Sequence, residues 1–463
     1  MDILNSLIDI VGSGLVLNKK EDLIPYMKDA SFFTGTEPMA IVLPANVDEV
    51  SKVMKFCNEN KIQVVVRGGG SSLTGASILK EPGIVLSMAR FDKILELSIQ
   101  DRYVIAEAGV RLDVLNAYLS KFKHFYPPDP ASSISATVGG SINTNAGGLR
   151  AAMYGATKEW VLGLEVVLPD GTVIQTGGKV LKRSIGYDLT ALMIGSEGTL
   201  GVITKAILKI TPMPEKYGRI MVYYKSISEA GRAVANLKNF GITPLIAEFM
   251  DRISMDSITH VNGIKFPEDV EYLLLIDISS TEESLNKKMN EAFEILKSTD
   301  NMGIKITTDK NEMDAMYQAR KGLYSSHLNE RSSPNEYVVI GDIVVPTSKL
   351  PDALENIKKK INEHGLKVAL FGHIGDGNIH ANIFADVNDR EKMEKVNSFM
   401  MDLGRIALEH EGSVSSEHGI GMEKIELLRE EFKFKKTERN LELMKYIKKL
   451  FDPNNILNRG KLF

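Results

Sequence analysis

From Arg219 onward, apolar residues fall in short runs separated by long charged stretches. "RIMVYYK" is followed by "SISEAGRAVANLKNFG" and "PLIAEFM"; "EYLLLIDI" by "STEESLNKKMNEAFEILKS" and "GIKIT"; "YVVIGDIVV" by "TSKLPDALENIKKKINEHG" and "KVALFGH". The short runs have strand length and are rich in β-branched and aromatic residues, whereas the long ones place apolar residues at helical spacing. Three strand–helix–strand units predict a sheet with helices on one face, an α+β domain. A last helical stretch carries "SSEHGIGMEK" between "MEKVNSFMMDLGRIALEHEG" and the final helix. Up to about Pro214 the texture differs: the strands "QVVVR", "YVIAEAG" and "LGLEVVL" are separated by glycine loops, as in a domain built to wrap a ligand.

One apolar pair of runs encloses histidines. "FGHIGDGNIHANIF", Phe371 to Phe384, has the Asp-Gly signal of a two-residue type I′ hairpin. With Asp376 and Gly377 as the turn, His373 is expected opposite His380, with Cβ atoms ~4.5–5.5 Å apart on one face. Asn382 would then share that face, because strand side chains alternate. The pair reads either as surface histidines of a polar hairpin or as two ligands of one ion, and a metal site needs a third.

The 463 residues exceed one ordinary core and imply two or three domains. A net charge of -4 without a basic stripe argues against nucleic acid as a partner. The single cysteine, Cys57, excludes an internal disulfide or a cysteine-ligated iron–sulfur cluster in this chain, and its helical, apolar setting predicts a buried thiol. No run of about 18 apolar residues is present, so no transmembrane segment is expected. The N-terminal stretch has no basic n-region, so a cytoplasmic location is expected.

Three loops share one chemistry. "VVVRGGGSSLTGAS", "PPDPASSISATVGGSINTNAGG" and "GSEGTLGVIT" combine glycines, which let backbone N–H groups converge on an anion, with hydroxyl donors. The first misses both the Walker and the G-x-G-x-x-G spacings. Together they point to a large phosphate-bearing ligand held mainly by backbone.

These loops, with "YGATKEWVLGLEVVLPDGTV" and "GSEGTLGVITKAILKITP", resemble the FAD-binding domain of vanillyl-alcohol-oxidase-type flavoproteins. "GHIGDGNIH", "SSEHGIG" and "FDPNNILNRGKLF" resemble the D-lactate dehydrogenase and glycolate oxidase branch. The resemblance implies an α+β chain: a two-part FAD-binding domain, residues 1–214, and a substrate-binding cap with an antiparallel β-sheet covered by helices, residues 215–410. Residues 411–463 would carry catalytic residues and return to the FAD domain. The implied flavin contacts are Arg67, Gly68, Gly69, Gly70, Ser71, Ser72, Thr74, Gly75, Pro128, Asp129, Ser133, Thr137, Gly139, Gly140, Asn143, Gly147, Gly148, Gly198 and Ile203. Relatives with covalent FAD carry histidine just after the first glycines; Ser71 stands there, so FAD is expected to be non-covalent.

The resemblance also supplies the third ligand. It implies that His373, His380 and Glu417 bind one divalent metal, zinc or manganese, and that His418 is the catalytic base. A His₂-carboxylate set leaves positions open for substrate. The implied reaction is oxidation of a small D-2-hydroxy acid to the 2-oxo acid, with metal-assisted deprotonation of the hydroxyl and hydride transfer to flavin N5. Asn382 would fix a substrate oxygen or simply bond at a strand end. In "AMYQARKGL", Arg320 would pair with the substrate carboxylate, and Tyr324, one helical turn on, would line the pocket. Relatives acting on 2-hydroxyglutarate carry a lysine in the strand before "DIVVP", near Ile340 here, which favours a small monocarboxylate.

Three alternatives remain at this point: a D-2-hydroxyglutarate dehydrogenase, an alkyl-glycerone-phosphate synthase-like transferase, and the flavoprotein subunit of a multi-subunit glycolate oxidase or electron-transferring-flavoprotein complex. Electrons must leave to an external acceptor: an electron-transferring flavoprotein, quinone, cytochrome or iron–sulfur subunit. Peripheral membrane association through that acceptor and a homodimer are both compatible with the sequence.

Overall fold

The computed structural model describes residues 2–463, which divide into two compact units. Residues 2–147, 156–213 and 417–463 form the first; residues 148–155 and 214–416 form the second.

The first unit contains two larger sheets. Strands Val16–Leu17, Ala40–Val42, Gly83–Ser87 and Gln63–Arg67 lie in that spatial order, the last three parallel. The antiparallel sheet runs Ile94–Ser98, Tyr103–Glu107, Val202–Lys209, Val161–Val167, Val173–Gly177. Helix Val47–Glu59, capped by the Asn46 side chain on Glu49 N, buries Val50, Val53, Met54 and Cys57 on one stripe. Burial pushes the Cys57 thiol up to about 12, so it is an inert core group.

The second unit is built on a seven-stranded antiparallel sheet in the order Gly303–Thr307, Lys216–Tyr224, Tyr272–Ser280, Ile246–Asp251, Val368–Gly372, Asn378–Asp386, Glu336–Val344. Four long helices, Glu282–Lys297, Ile227–Asn239, Leu350–His364 and Arg390–Glu409, pack in sequence against one another. In Leu350–His364, residues Leu350, Ala353, Leu354 and Ile357 are buried at i, i+3, i+4, i+7, and Gly365 ends the helix in the left-handed region. Each large apolar side chain buried this way contributes ~1.5–3 kcal/mol.

Strand alternation then sorts the sheet's two faces. Gly341 points at Leu403 and Met400 of the helix layer. Its neighbours Ile340 and Asp342 therefore point to the other face, opposite Asn382 and His380 on the adjoining strand. The histidine-bearing strand thus presents its polar side chains away from the four-helix layer.

Candidate active site

In the second unit, the His373–His380 pair is brought together by a connection longer than the expected turn. Strands Val368–Gly372 and Asn378–Asp386 pair with Phe371 opposite His380, so the register is shifted by two residues from the type I′ hairpin, which would put His373 there. The connection runs from His373 to Gly377, and the His373 carbonyl accepts from both Asp376 N and Asn378 N. Gly377 has φ +93 and Asp376 is not in the positive region, so the type I′ requirement of two such residues is unmet. An added Cβ on Gly377 would lie 1.9 Å from the Val345 carbonyl, which fixes glycine there. The two imidazoles still meet edge to face, with centroids 5.3 Å apart, and both are at least 95% buried.

Each histidine has a buried carboxylate on its Nδ1 side. Glu248 Oε1 is 2.7 Å from His373 Nδ1, and Asp342 Oδ1 is 3.5 Å from His380 Nδ1. The Glu248–His373 contact is a hydrogen bond, the arrangement by which an outer carboxylate orients a ligating histidine with Nε2 turned to an ion; the Asp342–His380 contact is an ion-pair distance only. Asp342 accepts from Asn378 Nδ2 at 2.8 Å, Ser415 Oγ at 3.3 Å and Ser416 N at 3.0 Å. Ser416 is the last residue of the second unit, and Glu417 and His418 follow it in the first.

Arg320 is 2% exposed, ion-paired to Glu248, and lies 4.9 Å over the Phe371 ring. The helix carrying it, Lys310–Lys321, stops at Gly322, and Tyr324 lies in a second helix, Leu323–Asn329. Arg320 and Tyr324 therefore do not share one helical face as expected; Tyr324 is half-buried on the next helix. That second helix supplies His327, which the sequence did not single out: its Nδ1 is 2.9 Å from Asn382 Nδ2, and its ring lies against Phe371 and Phe384. Asn382 itself is fully buried.

Because an amide nitrogen only donates, His327 Nδ1 accepts and the ring is neutral. Burial, then the charges of Arg320 and Lys367, push its pKa down from 6.5 to about 3. The unfolded chain takes up this proton below pH 6.5 while the folded chain does so only near 3, so stability falls as pH drops through that window. Between pH 7 and 4.5 the loss from this one group is about 2–3 kcal/mol. His327→Asn should lose that much less than wild type in denaturant unfolding at the two pH values; equal losses would assign the acid limb elsewhere.

In the first unit the three glycine loops interlock. An added Cβ on Gly68 would lie 2.3 Å from Thr137 Oγ1, and one on Gly69 would lie 1.8 Å from the Ser135 carbonyl, so only glycine permits the first two loops to touch. Thr137 caps the Val138–Thr144 helix through Gly140 N, and Gly139 packs on Ala108. Asn143 Oδ1 accepts from Gly198 N at 3.0 Å, tying the second loop to the third. Pro128, Asp129 and Ser133 are buried in the second loop. The Arg67 guanidinium folds back against Gly70, 5.2 Å over Tyr26, and burial lowers its pKa. Ser72 Oγ accepts from Thr74 N and Ala76 N, Gly75 has φ +75, and half-buried Ser71 stands beside Gly70. Ile203 packs in the sheet core. Gly147 lies beside the Glu417 side chain; Gly148 belongs to the 148–155 segment of the second unit.

Glu417 and His418 occupy a loop rather than a helix start, with Glu417 Oε1 3.7 Å from His418 Nε2. Buried Glu197 holds this loop by accepting from Ile420 N at 2.7 Å and Gly421 N at 2.8 Å, while Met422 N donates to the Thr74 carbonyl. Burial pushes the Glu197 carboxyl up against these donors, with Lys461 and Lys424 opposing the rise. The tail clips the same loops: Asn458 donates to the Glu197 carbonyl, and Lys461 Nζ donates to the Gly75 and Ile78 carbonyls at 2.6 Å each. Nothing in the sequence of the tail marks Asn458 or Lys461 for this task. The signal was there for Glu248 and Asp342, acids inside apolar strands, and absent for His327, one polar residue in a charged segment.

Interlocked glycine loops on one unit and a carboxylate-backed histidine pair on the other define the class. Residues 38–177 match the FAD binding domain family, and residues 213–462 match the family described as FAD linked oxidases, C-terminal domain. The chain belongs to the FAD-linked oxidases, and is an oxidoreductase of that family. It is 35% identical to "Glycolate oxidase subunit GlcD" of Bacillus subtilis, over 100% of this chain and 97% of that protein. It is also 35% identical to "D-lactate dehydrogenase" of Archaeoglobus fulgidus, over 92% of each. The solved structure of p-cresol methylhydroxylase with substrate bound, 17% identical, has a TM-score of 0.80 over 99% of this chain and 96% of that one, which shows the shared fold.

Proposed function

We propose that this chain oxidises a small D-2-hydroxy acid, of lactate or glycolate type, to the 2-oxo acid, using non-covalent FAD and one divalent metal. The observation that carries the reading is the His373–His380 pair, backed by Glu248 and Asp342 and set beside buried Arg320, in an FAD-linked oxidase. Such a donor set suits a divalent ion of the zinc type, and the interlocked loops, where Gly68 and Gly69 leave no room for a side chain, suit a backbone-bound dinucleotide.

His373 and His380 would supply two ligands and Glu417 the third. A metal held there would acidify the substrate hydroxyl, and a flavin held by the loops would take the C2 hydrogen as hydride with its two electrons. His418 takes the hydroxyl proton as general base, held in place by the loop that Glu197 anchors. Arg320 meets the carboxylate with its planar fork, Asn382 orients a substrate oxygen, and Tyr324 lines the approach. The loop residues from Arg67 to Gly75, Pro128 to Gly148, Gly198 and Ile203 hold FAD, and Ser71, lacking a nucleophilic ring nitrogen, leaves it unattached. Ile340, opposite Asn382 and 7% exposed, puts an apolar side chain on the site face and offers no cation for a second carboxylate.

The relatives named as a subunit and as a dehydrogenase support two settings for electron exit, a partner subunit or a free acceptor. With one cysteine, buried and inert, the chain holds no cysteine cluster of its own. Among the described residues no helix is long and apolar enough to cross a membrane. The test is turnover of the isolated chain with an artificial dye acceptor, using D-lactate, L-lactate, glycolate and D-2-hydroxyglutarate. D-Lactate or glycolate should be oxidised and D-2-hydroxyglutarate poorly; preference for the dicarboxylate would overturn the substrate class. No turnover with dye, but turnover once a partner subunit is added, would select the subunit setting.

A further inference from the structure

Strand Ile246–Asp251 reads "IAEFMD", and of its two acids Glu248 is 0% exposed. One oxygen of this carboxylate is 2.7 Å from His373 Nδ1, and the other meets the Arg320 guanidinium. On the neighbouring strands, Arg219 and Asp277 form their own buried bidentate pair at 2.6 and 2.8 Å. Glu248 is thus the anion of Arg320 and the acceptor for His373 at once. A carboxylate paired with guanidinium only accepts, so His373 carries a proton on Nδ1, and its neutral form is the tautomer with the Nε2 lone pair. Arg320 is held by the same group, with its face over Phe371, whose ring also lies 5.1 Å from His380.

We propose that Glu248 is a positioning residue that sets metal binding and substrate-carboxylate recognition together, by fixing the His373 tautomer with one oxygen and the Arg320 guanidinium with the other. This rests on the functional reading above and adds a residue to it. A purely structural carboxylate would neutralise Arg320 in the fold and leave the ligand properties of His373 unchanged.

Glu248→Gln discriminates, because one amide has a single acceptor oxygen and cannot serve both partners. The FAD-loaded full chain, stripped with chelator, is titrated with Zn²⁺ in competition with an indicator. The variant should bind zinc about 10–100-fold more weakly, at wild-type FAD content. Its KM for the D-hydroxy acid should rise about tenfold or more, with a smaller change in kcat. Glu248→Asp, which keeps the charge but shortens the reach, should fall between the two and stands in if the glutamine variant does not fold. A readout free of metal and substrate is the ¹⁵N spectrum of histidine-labelled protein, with His373→Asn used for assignment. Wild type should show His373 protonated at Nδ1 alone, and Glu248→Gln should show both tautomers. An unchanged tautomer, or zinc affinity and KM within twofold of wild type, overturns the proposal. Failure of every hydroxy acid to turn over would instead remove the functional reading, and the tautomer and zinc measurements would still decide what Glu248 does.

Discussion

Alanine at His380 should strip the metal and abolish reduction of the flavin by substrate, with FAD retained at wild-type occupancy. His380 sits in the second unit, opposite Phe371 on one strand and Asp342 on the other, whereas the glycine loops lie in the first unit. Removing its ring takes one of three ligands from the proposed set, while Asp342 keeps its donors Asn378 Nδ2, Ser415 Oγ and Ser416 N. Glu417→Ala should lose metal in the same way. Elemental analysis and anaerobic stopped-flow on the same preparations decide it. Stoichiometric metal in these variants would make the histidine pair structural.

His418→Ala should fail differently. The metal should stay, and flavin reduction should slow by about 10²–10⁴, the usual worth of a positioned general base. The loop should keep its shape, because Glu197 holds Ile420 N and Gly421 N and the Thr74 Oγ1 contact is to the His418 backbone carbonyl, not the ring. Raising the pH should restore part of the rate, since hydroxide can then take the proton. A variant as fast as wild type would move the base elsewhere.

Strand content was readable because each strand of the seven-stranded sheet is a short apolar run between charged stretches, and burial on one or both faces demands that pattern. Turn geometry was less readable. Asp-Gly signalled a two-residue turn, yet the His373 carbonyl takes two backbone donors and lengthens the connection, shifting the register. The histidines meet all the same, because His373 sits at the end of its strand rather than directly across from His380. The glycine at 322 was passed over as a helix break, and with it the second helix that brings His327 to Asn382. Glu248 shows the limit most plainly. An acid in an apolar strand announces that it is buried and paired, but its partners, Arg320 and His373, lie 72 and 125 residues away in sequence, and only the fold names them.

The most direct test is anaerobic titration of the purified, metal-replete chain with D-lactate, glycolate and L-lactate, following the flavin absorbance and adding no other reagent. Bleaching by D-lactate or glycolate, with none by L-lactate and none after chelation, is the predicted result. A flavin that stays oxidised with every 2-hydroxy acid, or that bleaches equally in metal-free protein, would contradict it.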